Sequence, residues 1–226
     1  MVLKKRDCGI KMRLVPYGGG WTDVYLNIGN DELYFIITSM YSDNFNNLMS
    51  VLYFLYPENY DHEHTENYVD CWEGIIENDE VVEIVERITK SSCTTIAVPK
   101  KGEFSWDEEG ASSYWVIERE ATMDTDFDIH ISIDIKRDDA HHYEYTVRYK
   151  DFCYAVAKTC TEVLKSHGIY GYHNSIYYGD MNLRYLLFLK CIALDNFEAR
   201  ELTNLGRGNG ESTSWEKELE LLLFDM

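Results

Sequence analysis

Two runs near the middle of the chain constrain its fold more than any other feature. Phe127, Ile129, Ile131, Ile133 and Ile135 alternate strictly with Asp128, His130, Ser132 and Asp134. Tyr143, Tyr145, Val147 and Tyr149 alternate in the same way with Glu144, Thr146 and Arg148. Successive side chains on a strand point to opposite faces, so each run predicts a strand with one apolar and one polar face. The polar stretch 136–142 between them predicts an antiparallel pair. A sheet with one wet face must bury the other, and the flanking sequence supplies helices for that purpose.

Phe45, Leu48, Met49, Leu52, Leu55 and Tyr56 fall at helical spacing, with Ser42 or Asp43 as cap and Pro57 as stop. Phe152, Val156, Cys160, Val163 and Leu164 mark another helix, capped by Asp151 and ended by Gly168. Asp180 caps an apolar helix over 183–194, and Thr213-Ser214-Trp215-Glu216 is a capping-box pattern opening a last one. Short helices are predicted over 68–76 and over 81–88, the second with Asn78 as cap and carrying Val81, Val82, Val85 and Ile88. Further strands are predicted at 10–14, 93–98, 103–106, 113–120 and 175–178. Another pair, at 23–28 and 33–39, is joined around Gly29-Asn30-Asp31. Its second member is apolar on both faces and so reads as central in a sheet. With no internal repeat and no linker rich enough to mark a boundary, the chain is expected to be one α+β domain over 1–226, an antiparallel sheet with helices packed on it.

Charge excludes several functions. The 226 residues hold 40 Asp or Glu against 21 Lys or Arg, a net charge of −19. Phosphate contacts need clustered Lys and Arg, so direct nucleic-acid binding is not expected, nor is binding to an anionic membrane surface. At 45% hydrophobic the chain can build a core, unlike a disordered acidic chain. The imbalance is local: residues 14–86 carry 15 acids and no Lys or Arg, whereas residues 1–13 carry five positives and one negative. Such a segment suits a cationic partner, because complementary potential speeds association.

The basic N-terminus is not followed by the apolar run of a signal peptide, and no stretch approaches a membrane span. The six cysteines (Cys8, Cys71, Cys93, Cys153, Cys160, Cys191) include no CxxC pair and are expected to be reduced, in a cytoplasmic protein.

No catalytic signature stands out. Asp61-His62-Glu63-His64 is dense in metal-ligating types, but His62 and His64 lack the i, i+4 spacing of a zincin helix, so a solvated loop is the simpler reading. Asp138-Asp139-Ala140-His141-His142 falls where a hairpin turn is needed. In Gly206-Arg207-Gly208-Asn209-Gly210, Glu211 stands where a phosphate loop needs glycine. No GxSxG is present, and nothing in the spacing pairs Cys153 or Cys160 with His167 or His173. No cofactor is expected. Trp106 draws attention because Asp107, Glu108 and Glu109 follow it near a hairpin tip, as in aromatic anchors ringed by charge.

Three stretches carry a resemblance. They are Phe104-Ser105-Trp106-Asp107-Glu108-Glu109-Gly110 with Trp115-Val116-Ile117-Glu118-Arg119, then Tyr149-Lys150-Asp151-Phe152 with Gly168-Ile169-Tyr170-Gly171-Tyr172, then Asn182-Leu183-Arg184-Tyr185-Leu186-Leu187-Phe188-Leu189-Lys190. In style and order the chain resembles bacterial immunity proteins encoded beside polymorphic toxins. That resemblance implies a protein without catalysis of its own, which binds a cognate toxin domain and neutralises it; the acidic charge leads us to expect that domain to be basic. The residues expected at the contact are Asp61, Glu63, Glu66, Asp70, Glu73, Trp106, Asp107, Glu108 and Glu109. The alternatives are an acidic DNA mimic that occupies nucleic-acid-binding proteins, and a metal-dependent hydrolase using His62 and His64.

Overall fold

The computed structural model describes residues 9–38, 44–56, 82–88, 93–108, 111–120, 126–136, 140–175, 180–195 and 215–226. Its strands are β1 (Ile10–Gly18), β2 (Trp21–Ile28), β3 (Asp31–Thr38), β4 (Val82–Ile88), β5 (Cys93–Pro99), β6 (Lys101–Glu108), β7 (Ala111–Arg119), β8 (Asp128–Lys136) and β9 (Ala140–Arg148). Its helices are α1 (Asn44–Leu55), α2 (Tyr149–Ser175), α3 (Leu183–Ala193) and α4 (Trp215–Leu223). All pairings are antiparallel, in sheets ordered β1-β2-β3, β4-β5 and β6-β7-β8-β9. The architecture is α+β.

The two alternating runs become β8 and β9, with Ile133 opposite Tyr143 and Asp134 opposite His142. The inward isoleucines of β8, Ile129, Ile131, Ile133 and Ile135, are buried. The β2–β3 hairpin closes as the spacing requires. Ile28 pairs with Asp31, and Gly29 takes φ 61, the sign a tight two-residue hairpin turn needs at its first central position.

One apolar core runs through both larger sheets and three of the helices. Its centre is aromatic. Phe35 of β3 lies 5.6 Å from Trp106 and 5.3 Å from Trp115, whose rings are 4.7 Å apart. Helix α1 packs on β6 so closely that Gly102 has no room for a side chain. A Cβ there would sit 2.5 Å from Val51 Cγ1, and a branched side chain on a packed helix cannot swing clear. Gly102→Ala is therefore expected to destabilise the fold by about 1–3 kcal/mol, read as a lower urea midpoint at unchanged slope.

Several expectations need correction. Residues 82–88 form a strand, not a helix: they pair with 93–99, and β-branched Val and Ile suit a strand once a partner is present. The central strand of the first sheet is β2, not β3. The extra apolar surface of β3 arises because Tyr34 lies on Tyr25, with ring centroids 5.2 Å apart. Helix α2 starts at Tyr149, so Asp151 sits inside its first turn rather than at its cap. Gly168, at φ 69 and ψ 169, does end the first helical segment of α2, and a second segment follows it to Ser175. The cap of α3 is Asn182, whose side chain accepts from the Tyr185 amide, while Asp180 pairs with His173 at 2.8 Å. The caps at Ser42, Asp43 and Asn78, the stop at Pro57, the helix over 68–76, residues 176–179 and the 206–210 loop lie outside the described residues.

Candidate functional site

The outward residues of the four-stranded sheet form a continuous face, and strand pairing sets it out in rows. One row is Lys101, Glu118, His130, Thr146; the next is Glu103, Val116, Ser132, Glu144; the third is Ser105, Tyr114, Asp134, His142. Alternation places these side chains outward because their neighbours, Phe104, Trp115, Ile117, Ile131 and Ile133, are in the core.

Tyr114, 39% exposed, is the large aromatic at the centre of this face. Its hydroxyl donates to Glu103, which also pairs with Lys101. Burial acts to raise the Glu103 pKa, but Lys101 and Tyr114 overcome it and hold the carboxyl below its usual range. Partial burial and the Glu103 carboxylate push Tyr114 up to about 12. Toward β9, His142 Nδ1 lies 2.7 Å from Asp134 Oδ1 and its Nε2 lies 3.2 Å from Glu144 Oε1. Asp134 and then Glu144 raise the His142 pKa by hydrogen bonding. With a carboxylate at each ring nitrogen, His142 has no free lone pair to act as a base. His130 stands 4.0 Å from Glu144 on the far side.

Three thiols are placed, and none of the three is a nucleophile. Cys153, Cys160 and Cys191 are free and buried, and burial pushes each of them up, Cys191 to about 12. Among the described residues no group of three or more His, Cys, Asp or Glu is placed to hold a metal. No described helix is long and apolar enough to cross a membrane.

Of the expected contact residues, Asp61, Glu63, Glu66, Asp70, Glu73 and Glu109 lie outside the described residues, as do His62 and His64. So do the side chains of Asp107 and Glu108. Trp106 is placed, and its position corrects the expectation of an exposed anchor: it is 1% exposed, packed between Phe35, Phe45, Phe104 and Trp115. It shares the inward phase of β6 with Phe104, whereas Glu103 and Ser105 take the outward phase. Sequence reasoning passed over Tyr114 because Ser112-Ser113-Tyr114-Trp115-Val116-Ile117 does not declare which of two adjacent aromatics faces out. The cross-strand partner of Trp115 on the apolar phase of β8, Ile133, was the available signal.

Lys190 is a second position that the sequence pattern does not single out, a cation in the apolar 183–194 helix. It is fully buried, and its ammonium donates to the carbonyls of Leu221 (2.9 Å), Leu222 (2.8 Å) and Phe224 (3.0 Å) at the end of α4. All three of its N–H groups are thereby used, which fits a lock on α4 rather than a reactive amine. No protein-family model matches the chain, and no curated protein or solved structure matches it significantly.

Proposed function

We propose that the protein is a non-catalytic, cytoplasmic inhibitor of the immunity type, which binds a cognate basic toxin domain and neutralises it. The observation that carries this is the outer face of the four-stranded sheet. There an exposed tyrosine stands among Glu103, Asp134 and Glu144, and His142 has both nitrogens committed to carboxylates. Such a face suits contact better than proton transfer, since an exposed aromatic ringed by polar groups is the usual composition of a binding hot spot. The net charge of −19 and the long stretch without a cation favour a basic partner. Asp61, Glu63, Glu66, Asp70 and Glu73 of that stretch would extend the contact.

The test is co-purification with the product of the neighbouring gene, followed by kinetics on the isolated complex. The association rate is expected to fall about tenfold or more between roughly 20 and 200 mM salt. Tyr114→Ala is expected to raise the dissociation rate about tenfold or more, as loss of an aromatic anchor does. Absence of a stable complex, or binding indifferent to both changes, would sink the proposal.

A further inference from the structure

The four-stranded sheet has β6 at one edge and β9 at the other. Helix α1 packs on the inner face of the sheet at β6, against Gly102. In the first sheet, the β1 edge lies under α2, where the Thr159 hydroxyl donates to the Met12 carbonyl at 2.7 Å. Among the described residues the β9 edge is open. No residue from Ala140 to Arg148 is buried, and among the described residues β9 pairs only with β8.

Protein edges are normally blunted by lysine, proline, a bulge or short length, because free amides and carbonyls invite another strand. Strand β9 has nine residues, no Lys, no Pro and an unbroken register with β8. The direction of its free groups follows from one bond. The Tyr149 amide donates to the Phe127 carbonyl at 3.0 Å, in the same register as the strand. Hydrogen-bonded pairs recur every second residue in an antiparallel ladder, so the odd-numbered residues of β9 address β8. The amides and carbonyls of Ala140, His142, Glu144 and Thr146 therefore point away from the sheet.

We infer that this edge pairs with β9 of a second copy of the chain, antiparallel about a two-fold axis at Tyr143. Charge selects both the occupant and the register. Centred on Tyr143, His142 of each copy faces Glu144 of the other, and Ala140 faces Thr146. Centred on Glu144, the two carboxylates would face each other, and centred on His142, the two imidazoles would. The chosen register keeps outward residues opposite outward residues and supplies about eight main-chain hydrogen bonds. It joins the two polar faces into one eight-stranded sheet. The contact is self-complementary about the two-fold axis, so it closes at two copies. The pairing is independent of the toxin reading.

Sedimentation equilibrium of the full chain at about 100 µM is expected to give twice the 26.5 kDa of one copy. Tyr143→Cys should form an intermolecular disulfide under mild oxidation, because opposed residues in a non-hydrogen-bonded pair lie about 4.5 Å apart at Cα. Thr146→Cys, displaced from the axis, should cross-link no more than the parent. Glu144→Lys, which leaves the monomer's core untouched, should weaken the dimer about tenfold or more and so decides the matter if the Tyr143 variant folds poorly. A monomeric parent overturns the pairing, as does preferential cross-linking at Thr146 or a Glu144→Lys chain that still dimerises fully. Amides of β9 that gain exchange protection only when another protein is added would overturn it too, and would give the edge to that partner.

Discussion

Trp106→Ala should lower stability by about 3–5 kcal/mol and the melting temperature by roughly 6–20 °C. The indole is buried between two sheets and a helix, with Phe104, Trp115, Phe35 and Phe45 around it. Truncation leaves a cavity that the neighbouring rings cannot fill without leaving their own rotamers. Tyr114→Ala makes the contrast. It removes a partly exposed ring from the opposite face of the same sheet and is expected to change stability by no more than about 1 kcal/mol. Urea unfolding of the two variants side by side separates the core aromatic from the surface one. A Trp106→Ala protein as stable as the parent would contradict the packing described above.

Lys190→Met is expected to cost about 3–5 kcal/mol, since it keeps the aliphatic stem but leaves one buried and two partly buried carbonyls at the end of α4 without this donor. Hydrogen exchange should report the loss first in residues 215–226, which Lys190 ties to α3. Unfolding of α4 with no effect on the rest of the core would still agree with the lock, whereas full retention of stability would not. The same lysine sets a pH dependence. Burial, then the nearby Lys165, push it down to about 8 from 10.5, with Cys160 and Asp225 acting the other way. Below about pH 8 the group is protonated in both folded and unfolded chains and contributes no slope. Between about 8 and its ordinary range the unfolded chain holds a proton that the folded chain has released, so this group makes stability rise with pH there. In Lys190→Met that component should vanish.

Strand structure was the most legible part of the fold. Alternation in β8 and β9 is a local property of the pleat, and it survives into the structure residue for residue, with only the turn shorter than the polar stretch implied. The 28–31 hairpin was legible for a similar reason, because glycine at its first turn position permits a φ few other residues adopt. The segment 82–88 was not, since its apolar spacing fits a helix and only pairing with 93–99 makes it a strand. The candidate surface was half legible. Acids and aromatics near the β6–β7 hairpin mark the sheet that carries the candidate face, but the local pattern does not show that Trp106 faces in and Tyr114 out.

By itself, then, the sequence determined the α+β class, the strands of the central hairpins and the charge imbalance, because each depends on near neighbours or on composition alone. Tertiary structure decided which phase of β6 faces the core, since that depends on Phe35 arriving from another sheet. It also decided where Lys190 finds its acceptors, some thirty residues further along the chain. And it alone left β9, among the described residues, paired on one side only. An open edge belongs to the arrangement of whole sheets, and no single stretch of residues encodes it.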